Sequence, residues 1–206
     1  MSGYHPDDMA TSTTALLPFT GNEEADTLIS ADPLALLIGF VLDQQVTVQK
    51  AFSSPLELRR RLGVLDAGTI AGLETTELER IFAERPALHR FPGAMARRVQ
   101  ELCRALVTDY DGRAERVWQD AEDAHDLRRR LLALPGIGDM KARSLLAVLA
   151  KRLGVELAGW DDVLPSHPTL GDVDSAQALE DYQSAKRAHK AALRAGGRRT
   201  TTEVDR

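Results

Sequence analysis

The chain of 206 residues is long enough for one domain, or for two small helical lobes that share a core. Apolar residues make up 43% of it and charged residues 28%, which is typical of a globular protein and excludes a disordered chain. The single cysteine, Cys103, cannot form an internal disulfide or supply the four thiolates of a typical iron–sulfur cluster or cysteine-rich zinc site. We therefore expect an intracellular protein without a metal site.

The formal net charge of −5 argues against a polyanionic partner, but the charge is unevenly distributed. Residues 183–206 carry a net charge of +5, which leaves −10 for the rest of the chain. We interpret this segment as a basic C-terminal arm. The alternative is a solvated helix end, because positive residues are favourable near a helix C-terminus in any case.

The first 20 residues show little periodicity and predict a flexible leader. Asp7 and Asp8 stand where a secretory signal would place Lys or Arg. The longest apolar run, Leu34 to Leu42, has about half of the roughly 18 residues that a membrane span needs. These features predict a cytoplasmic protein that does not contact a membrane.

Apolar residues at helical spacing, with few aromatic residues at 5%, favour helices over a β-sandwich or barrel. The main predicted helices are residues 33–45, 48–52, 54–62, 75–82, 94–107, 123–133, 139–153 and a last one that follows Asp174 and Ser175 and ends near Ala195. No segment reads as a strand. The sequence thus predicts a compact all-α fold of eight or nine helices, with a helical domain over 21–182, a helix–hairpin–helix at 124–153 and a basic tail over 183–206.

The hairpin sequence Leu134–Gly138 (LPGIG) is the most informative stretch. Gly136 and Gly138 flank Ile137 and allow a positive φ and a close approach of backbone amides to a ligand. The amides open a new helix, where free N–H groups and the helix dipole favour a phosphate oxygen. The nearest basic residues are Lys141, Arg143 and the run Arg128–Arg130. The alternative is a plain helix–turn–helix that ends in a glycine cap.

A second motif, Val41–Val48 (VLDQQVTV), lies roughly a hundred residues upstream. With it, the sequence resembles the helix-hairpin-helix (HhH-GPD) DNA glycosylases of base-excision repair. In that family L-P-G-[IV]-G opens the second hairpin helix, and a buried helix ends in a sequence of the type G-Q-Q-V-S. The resemblance covers residues 33 to about 162, and Asp43 stands where Gly or Ala is commoner.

The resemblance implies a two-lobed all-α fold with a cleft that binds double-stranded DNA without reading its sequence. A flipped nucleotide would enter this cleft, and Gln45 would take its place in the base stack. The alternative is that Gln44 and Gln45 cap a buried helix end. The family hairpin often holds a monovalent cation on its carbonyls; we expect no other cofactor, and a monomer.

Two departures narrow the implied chemistry. Met140, which would line the base pocket, stands where bifunctional relatives have the lysine that forms a Schiff base with the sugar. Lys141 is rotated from it by about 100° on a helix and is expected to face a phosphate. We therefore expect no lyase activity, and the closest resemblance is to the cluster-free, monofunctional 3-methyladenine DNA glycosylase II type.

The family also uses an aspartate about twenty residues beyond the Met140 position, where a carboxylate stabilises the oxocarbenium-like sugar. Asp162 and Asp161 fit this spacing, and Asp172 is a third candidate. Each of them also suits a helix cap or a loop.

Two other functions stay open. One is a non-catalytic helix-hairpin-helix protein that binds DNA, and the other is an acidic helical protein that binds a protein partner. The damaged base that would be released cannot be read from the sequence.

Overall fold

The computed structural model describes residues 16–199, with side chains up to residue 188. Most of the predicted leader and the end of the predicted basic arm, residues 1–15 and 200–206, lie outside this part. The described chain forms eleven α-helices and a short 3-10 turn, without a strand, which confirms the all-α fold. The helices are α1 (Glu23–Ala31), α2 (Pro33–Leu42), α3 (Val48–Leu62), α4 (Ala67–Gly72), α5 (Thr75–Ala83), α6 (Pro92–Tyr110), α7 (Arg116–Gln119), α8 (Ala124–Ala133), α9 (Asp139–Lys151), α10 (Trp160–Val163) and α11 (Ala176–Arg199), and the 3-10 turn is Leu170–Asp172.

Helix α2 is the central buried helix. The side chain of Asp32 accepts hydrogen bonds from the N–H groups of Leu34 and Ala35, and Pro33 occupies the first turn. Every residue after Pro33 is buried, as the continuous apolar sequence predicts. The helix ends at Leu42, three residues before the predicted end, so residues 43–47 form an exposed loop at its C-terminus.

Helix α3 runs unbroken through Pro55, whereas the sequence predicted two helices there. Its N-cap is Thr47, whose side chain accepts from the Lys50 N–H at 3.2 Å. Pro55 removes one helical hydrogen bond. However, Phe52, three residues before it, and Leu56, directly after it, are buried in the core. Packing of these residues outweighs the local break.

Packed structure begins inside the predicted leader of residues 1–20. Leu17 and Phe19 are fully buried, and the Phe19 ring meets Phe52 edge to face at 5.1 Å. The carboxylate of Asp26 accepts from the backbone N–H groups of Phe19 and Thr20. Residues 17–20 are not helical, and they contact α1 through Asp26 and α3 through Phe52.

Helices α8 and α9 form the predicted antiparallel hairpin, with Leu134 and Ile137 buried between them. Helix α10 packs at the other end of α8, where the Ala124 N–H donates to the Ala158 carbonyl at 2.9 Å. Ser175 caps α11 by accepting from the Ala178 N–H, and α11 continues four residues beyond its predicted end.

Within the described residues no single helix is long and apolar enough to cross a membrane. Helices α1 and α2 reach that length only as a pair, which bends by 111°.

Candidate functional site

The loop after α2 turns sharply at Asp43. With φ −72° and ψ 71°, Asp43 is the centre of an inverse γ-turn that the Gln44 N–H closes onto the Leu42 carbonyl at 2.7 Å. The Asp43 N–H donates back to the Gly39 carbonyl at 3.0 Å. The backbone is therefore fixed at Asp43, whose side chain is half-buried.

Gln44 is held in place from three directions. Its Nε2 donates to the Val41 carbonyl at 3.2 Å and contacts the Met95 sulfur at 3.0 Å, and its Oε1 accepts from Arg98 at 3.1 Å. Its own carbonyl oxygen lies 2.9 Å from Nε2 of His89. Gln44 thus caps the buried helix end, as one of the two sequence interpretations predicted.

Gln45 behaves differently from its neighbour. Its side chain is exposed, and its backbone has φ 56°, in the left-handed region that a residue with a side chain adopts only at a cost. Strain of this kind persists only where the surrounding structure holds it. The fixed neighbour Gln44 therefore presents Gln45 as the projecting side chain of the loop.

His89 supports this loop from the connection between α5 and α6. It is 2% exposed, and its Nδ1 accepts from the Phe91 N–H at 3.0 Å, so Nε2 carries the proton and donates to the Gln44 carbonyl. Burial lowers the pKa of His89, the carbonyls of Gln44 and Leu42 oppose this, and the charges of Lys141 and Lys50 add to the lowering. His89 is neutral and holds Gln44 in position.

The two hairpin glycines have different roles. Gly136 has φ 84°, and a Cβ on it would lie 3.0 Å from the Arg98 side chain and 3.2 Å from Val41, so both conformation and space require glycine there. Gly138 has φ −90° and is the N-cap of α9, and a Cβ there would meet no atom within 4 Å. The sequence allows a positive φ at both glycines, but of the two only Gly136 adopts one. The space in front of the Gly138 backbone is open.

Lys141 joins the hairpin to the loop after α2. Its Nζ donates to the Val41 carbonyl at 2.8 Å and to the Gly136 carbonyl at 3.1 Å. Burial lowers the pKa of Lys141 to about 8, opposed by the negative charge of Asp43 and reinforced by Arg98. The expectation that Lys141 faces a phosphate is not supported, because its ammonium is already bound to two carbonyls inside the protein.

Exposed arginines stand at the start of α9 instead. Asp139 accepts from Arg128 at 2.7 Å and from Arg143 at 2.8 Å, so two arginines share one carboxylate beside the open amides. Arg129 and Arg130 both pair with the buried Asp126 on α8. Of the predicted basic run, only Arg128 therefore adds positive charge near Gly138, together with the predicted Arg143.

The chain was compared with known families and proteins. Residues 38–196 match the family described as HhH-GPD superfamily base excision DNA repair protein. The chain belongs to this superfamily. The match includes the loop after α2, the whole hairpin and most of α11. Comparisons with curated proteins and with solved structures found no match.

In this HhH-GPD chain the predicted aspartates do not meet the hairpin. Asp162 and Asp161 lie on α10, and an Asp162 carboxylate oxygen is 3.4 Å from Nε2 of His125, in the first turn of α8. The hairpin follows the opposite end of α8, which is ten residues, or about 15 Å, long. Both carboxylates are exposed. The spacing from Met140 pointed to these two residues, but α10 packs on the first turn of α8 and places them at the end of α8 away from the hairpin.

Asp172 lies away from the hairpin as well. Its carboxylate accepts from Lys151, in the last turn of α9, at 2.6 Å and from the Thr169 backbone N–H at 2.8 Å, in a capping box. Burial raises its pKa, but these hydrogen bonds outweigh burial, so the net pKa of Asp172 is lowered. Asp172 closes the 3-10 turn and is not a candidate for the HhH-GPD site.

Met140 is 78% exposed, the largest value among the exposed large apolar side chains. It projects from the first turn of α9, next to the open backbone of Gly138. Such a side chain does not line a pocket, although it was predicted to face one. It lies on the open surface beside the start of α9.

The HhH-GPD hairpin was also expected to offer carbonyls to a monovalent cation. The Leu134 carbonyl accepts from the Ile137 N–H at 3.2 Å, and the Gly136 carbonyl accepts from Lys141. Because these two oxygens already have donors, the residues fit a dedicated cation site poorly. No group of three metal-ligating side chains occurs in the described part of the chain.

Sequence reasoning missed three residues that organise this site, namely Asp43, His89 and Arg98. Asp43 was noted only as a departure from the family pattern. His89 and Arg98 come from the start of α6 and the loop before it, and no local pattern connects them with residues 43–47 or 136. Only the packing of α6 against α2 and the hairpin places them there.

Proposed function

We propose that this HhH-GPD protein is a monofunctional DNA glycosylase that hydrolyses the N-glycosidic bond of a damaged base flipped from double-stranded DNA. The observation that carries the proposal is the joining of two elements through Lys141. One is the hairpin with its open amides at the start of α9, and the other is the loop that presents Gln45. The first suits a phosphate and the second suits the gap left by a flipped base.

The two glutamines differ in their contacts, and this difference supports a role of the loop in base flipping. Gln44 uses its amide inside the protein, whereas the exposed amide of Gln45 is free to enter the stack and hydrogen-bond the orphaned partner base. A side chain placed in a strained backbone conformation at an exposed loop is typical of a functional position. We assign the DNA contacts to Gln45, to the backbone of Gly136 and Gly138, and to Arg143. Ile137, which was predicted to join them, already donates its N–H to the Leu134 carbonyl.

The proposed enzyme needs no metal or organic cofactor and acts as a monomer. Its closest type remains the 3-methyladenine DNA glycosylase II type, because Met140 occupies the lysine position of the bifunctional relatives and only one cysteine is present. Duplex binding is independent of sequence, since backbone amides and arginines contact phosphates and not base edges.

The second candidate function is a DNA-binding protein without catalytic activity. It is favoured by the position of Asp161 and Asp162, which lie at the end of α8 away from the hairpin. A chain that kept the hairpin and Gln45 but lost the catalytic carboxylate would bind duplex DNA and release nothing.

One experiment separates the two functions. The purified protein is incubated with a panel of duplexes, each with one lesion of a different chemical class, and abasic sites are scored after alkali treatment. Release of one base class, with intact strands before alkali, supports the monofunctional glycosylase. Tight, salt-dependent binding without release from any duplex supports the non-catalytic protein. Absence of duplex binding at low salt contradicts both.

A further inference from the structure

A half-buried carboxylate lies at the centre of the site, and neither proposal above uses it. Asp43 directly follows α2, in the turn between the buried helix end and the strained Gln45. Its backbone is fixed on both sides by the hydrogen bonds of the Asp43 and Gln44 N–H groups. The position of the Asp43 Cβ is therefore set by the fold.

The surroundings of Asp43 are positively charged, yet its carboxylate makes no ion pair within 4 Å with any side chain of the described part. Burial raises the pKa of Asp43, and the charges of Lys186 on α11 and Lys141 on α9 oppose this. Tyr182 completes the group. Burial raises its pKa, the charge of Lys186 opposes this and that of Asp43 adds to it, and the Lys186 ammonium lies 5.6 Å from its ring centroid.

Such an arrangement is unusual for a structural carboxylate. Carboxylates in this protein that have a structural role are bound directly, as Asp32 is by two N–H groups and Asp172 is by Lys151 and Thr169. The Asp43 oxygens have no hydrogen-bond partner in the described part of the chain and are not fully buried, so a ligand can reach them. A partly buried carboxylate beside positive charges is a candidate functional group. The Asp43 oxygens are free to meet a ligand, and the charges of Lys141 and Lys186 lie close enough to act on the carboxylate.

Asp43 also has the right position relative to the DNA. It precedes Gln45 by two residues, at most about 7 Å of chain. Lys141 binds the carbonyl of Val41, which is two residues before Asp43. Lys141 also follows Gly138, at the open start of α9, by three residues. If the hairpin holds the phosphate and Gln45 fills the gap in the stack, the sugar of the flipped nucleotide would lie between these two points. Asp43 lies on the segment between Val41, whose carbonyl Lys141 binds, and Gln45.

We infer that Asp43 is the catalytic carboxylate of this site and acts on the sugar of the flipped nucleotide, an inference that rests on the proposed glycosylase function. The bond from C1′ to the base nitrogen breaks, and its electron pair leaves with the base. The ionised Asp43 stabilises the positive charge that develops on the sugar. Water adds to C1′, its proton passes to Asp43 and then to the departing base, and the products are a free base and an abasic sugar. Lys141 is a positioning residue that holds the loop against the hairpin.

The test compares single-turnover base release by the wild type and by Asp43→Asn on the best duplex from the panel. The matched control is Asp109→Asn, an exposed carboxylate near the far end of α6. We expect Asp43→Asn to lose about a hundredfold to a thousandfold in rate with duplex affinity within a few-fold of wild type, and Asp109→Asn to match wild type. Wild-type release by Asp43→Asn overturns the inference. The inference is also overturned if Asp162→Asn loses base release while Asp43→Asn releases base normally.

A pH profile keeps the inference testable if Asp43→Asn does not fold. Release requires the ionised carboxylate, so the wild-type single-turnover rate must fall as pH falls through a pKa above the ordinary aspartate value of about 3.9. A rate that stays flat down to pH 4 overturns the inference. His89, whose pKa is lowered mainly by burial, also titrates on the acid side, whereas Lys141 and Tyr182 titrate on the alkaline side. The charge of Lys186 also acts on Asp43. In a folded Asp43→Asn variant, the pH profile of the residual rate should therefore lack the fall at low pH that is due to Asp43.

The glycosylase function and the role of Asp43 can fail separately. If the wild type releases no base from any duplex of the panel, the glycosylase function fails and the role of Asp43 fails with it. If the wild type releases a base and Asp43→Asn does so equally fast, only the role of Asp43 fails.

Discussion

Lys141 Nζ lies 2.8 Å from the carbonyl oxygen of Val41, a residue one hundred positions earlier in the chain. The same ammonium bonds the Gly136 carbonyl at 3.1 Å. One side chain therefore fixes the distance between the hairpin and the loop that carries Asp43 and Gln45. The proposed phosphate contact and the proposed site of base flipping move together because of this link.

The first prediction separates the two hairpin glycines. Gly136→Ala places a Cβ 3.0 Å from Arg98 in a left-handed conformation, and we expect it to lower the free energy of unfolding by about 1–3 kcal/mol. Gly138→Ala meets open space, and we expect a change within about 1 kcal/mol. Urea unfolding of both variants measures this.

Among folded variants, Gly138→Ala should weaken duplex binding more than Gly136→Ala does. The Cβ in Gly138→Ala occupies the space through which a phosphate would reach the α9 amides, so affinity should fall several-fold and equally for all sequences. Unchanged affinity in Gly138→Ala would remove the hairpin from the binding surface.

The second prediction concerns the two glutamines. Gln44→Ala removes the contacts to Val41, Met95 and Arg98 and should lower the free energy of unfolding by about 1–3 kcal/mol. Gln45→Gly relieves the positive φ and should leave stability unchanged or raise it by up to about 1 kcal/mol. Thermal unfolding monitored by circular dichroism tests both expectations.

The same Gln45→Gly variant should release base more slowly, because nothing fills the gap in the stack after flipping. A variant that is more stable and less active fits a functional strain at residue 45. If Gln45→Gly excises as fast as wild type, Gln45 is a loop residue without a role in flipping.

Much of the fold follows from local sequence patterns. Helix α2 is predicted by Asp32 and Pro33 and by the apolar sequence that follows them. The LPGIG sequence predicts the α8–α9 hairpin with Leu134 and Ile137 inside. These patterns suffice because caps, periodicity and turn residues act over a few positions along the chain.

The site depended on contacts between distant segments, which local patterns do not reveal. Asp161 and Asp162 have a suitable spacing in sequence, but α10 packs on the first turn of α8 through Ala124 and Ala158 and takes them away from the hairpin. Asp43 looked like a departure from the family motif. Only the placement of Lys141 and α11 around it shows a charged site.

The third prediction concerns the reaction type. Borohydride added during the reaction should trap no covalent adduct between protein and DNA. The hydrogens of Lys141 Nζ are directed at the carbonyls of Val41 and Gly136, and Met140 at the usual lysine position has no amine. Denaturing gels after trapping measure this. A trapped adduct that disappears in Lys141→Ala would identify Lys141 as a nucleophile and the protein as bifunctional.

The fourth prediction is the pH dependence of stability that Lys141 causes. In the folded protein its pKa is about 8, against 10.5 for an unperturbed lysine, mainly because of burial. Between these values the unfolded state binds more protons than the folded state, so the stability of the wild type rises with pH in this window. The penalty for the buried charge is present below pH 8 and is relieved as pH rises through 8.

Urea unfolding at pH 7 and pH 9.5, for the wild type and Lys141→Met, isolates this effect because the other groups titrate in both proteins. The wild type should gain roughly 1 kcal/mol more than the variant between the two pH values, after allowance for solvent screening of a half-exposed group. A difference that is flat or falls with pH would mean that the ammonium stays charged between its two carbonyls. The link between hairpin and loop would then be an ionic one over the whole range in which the protein acts on DNA.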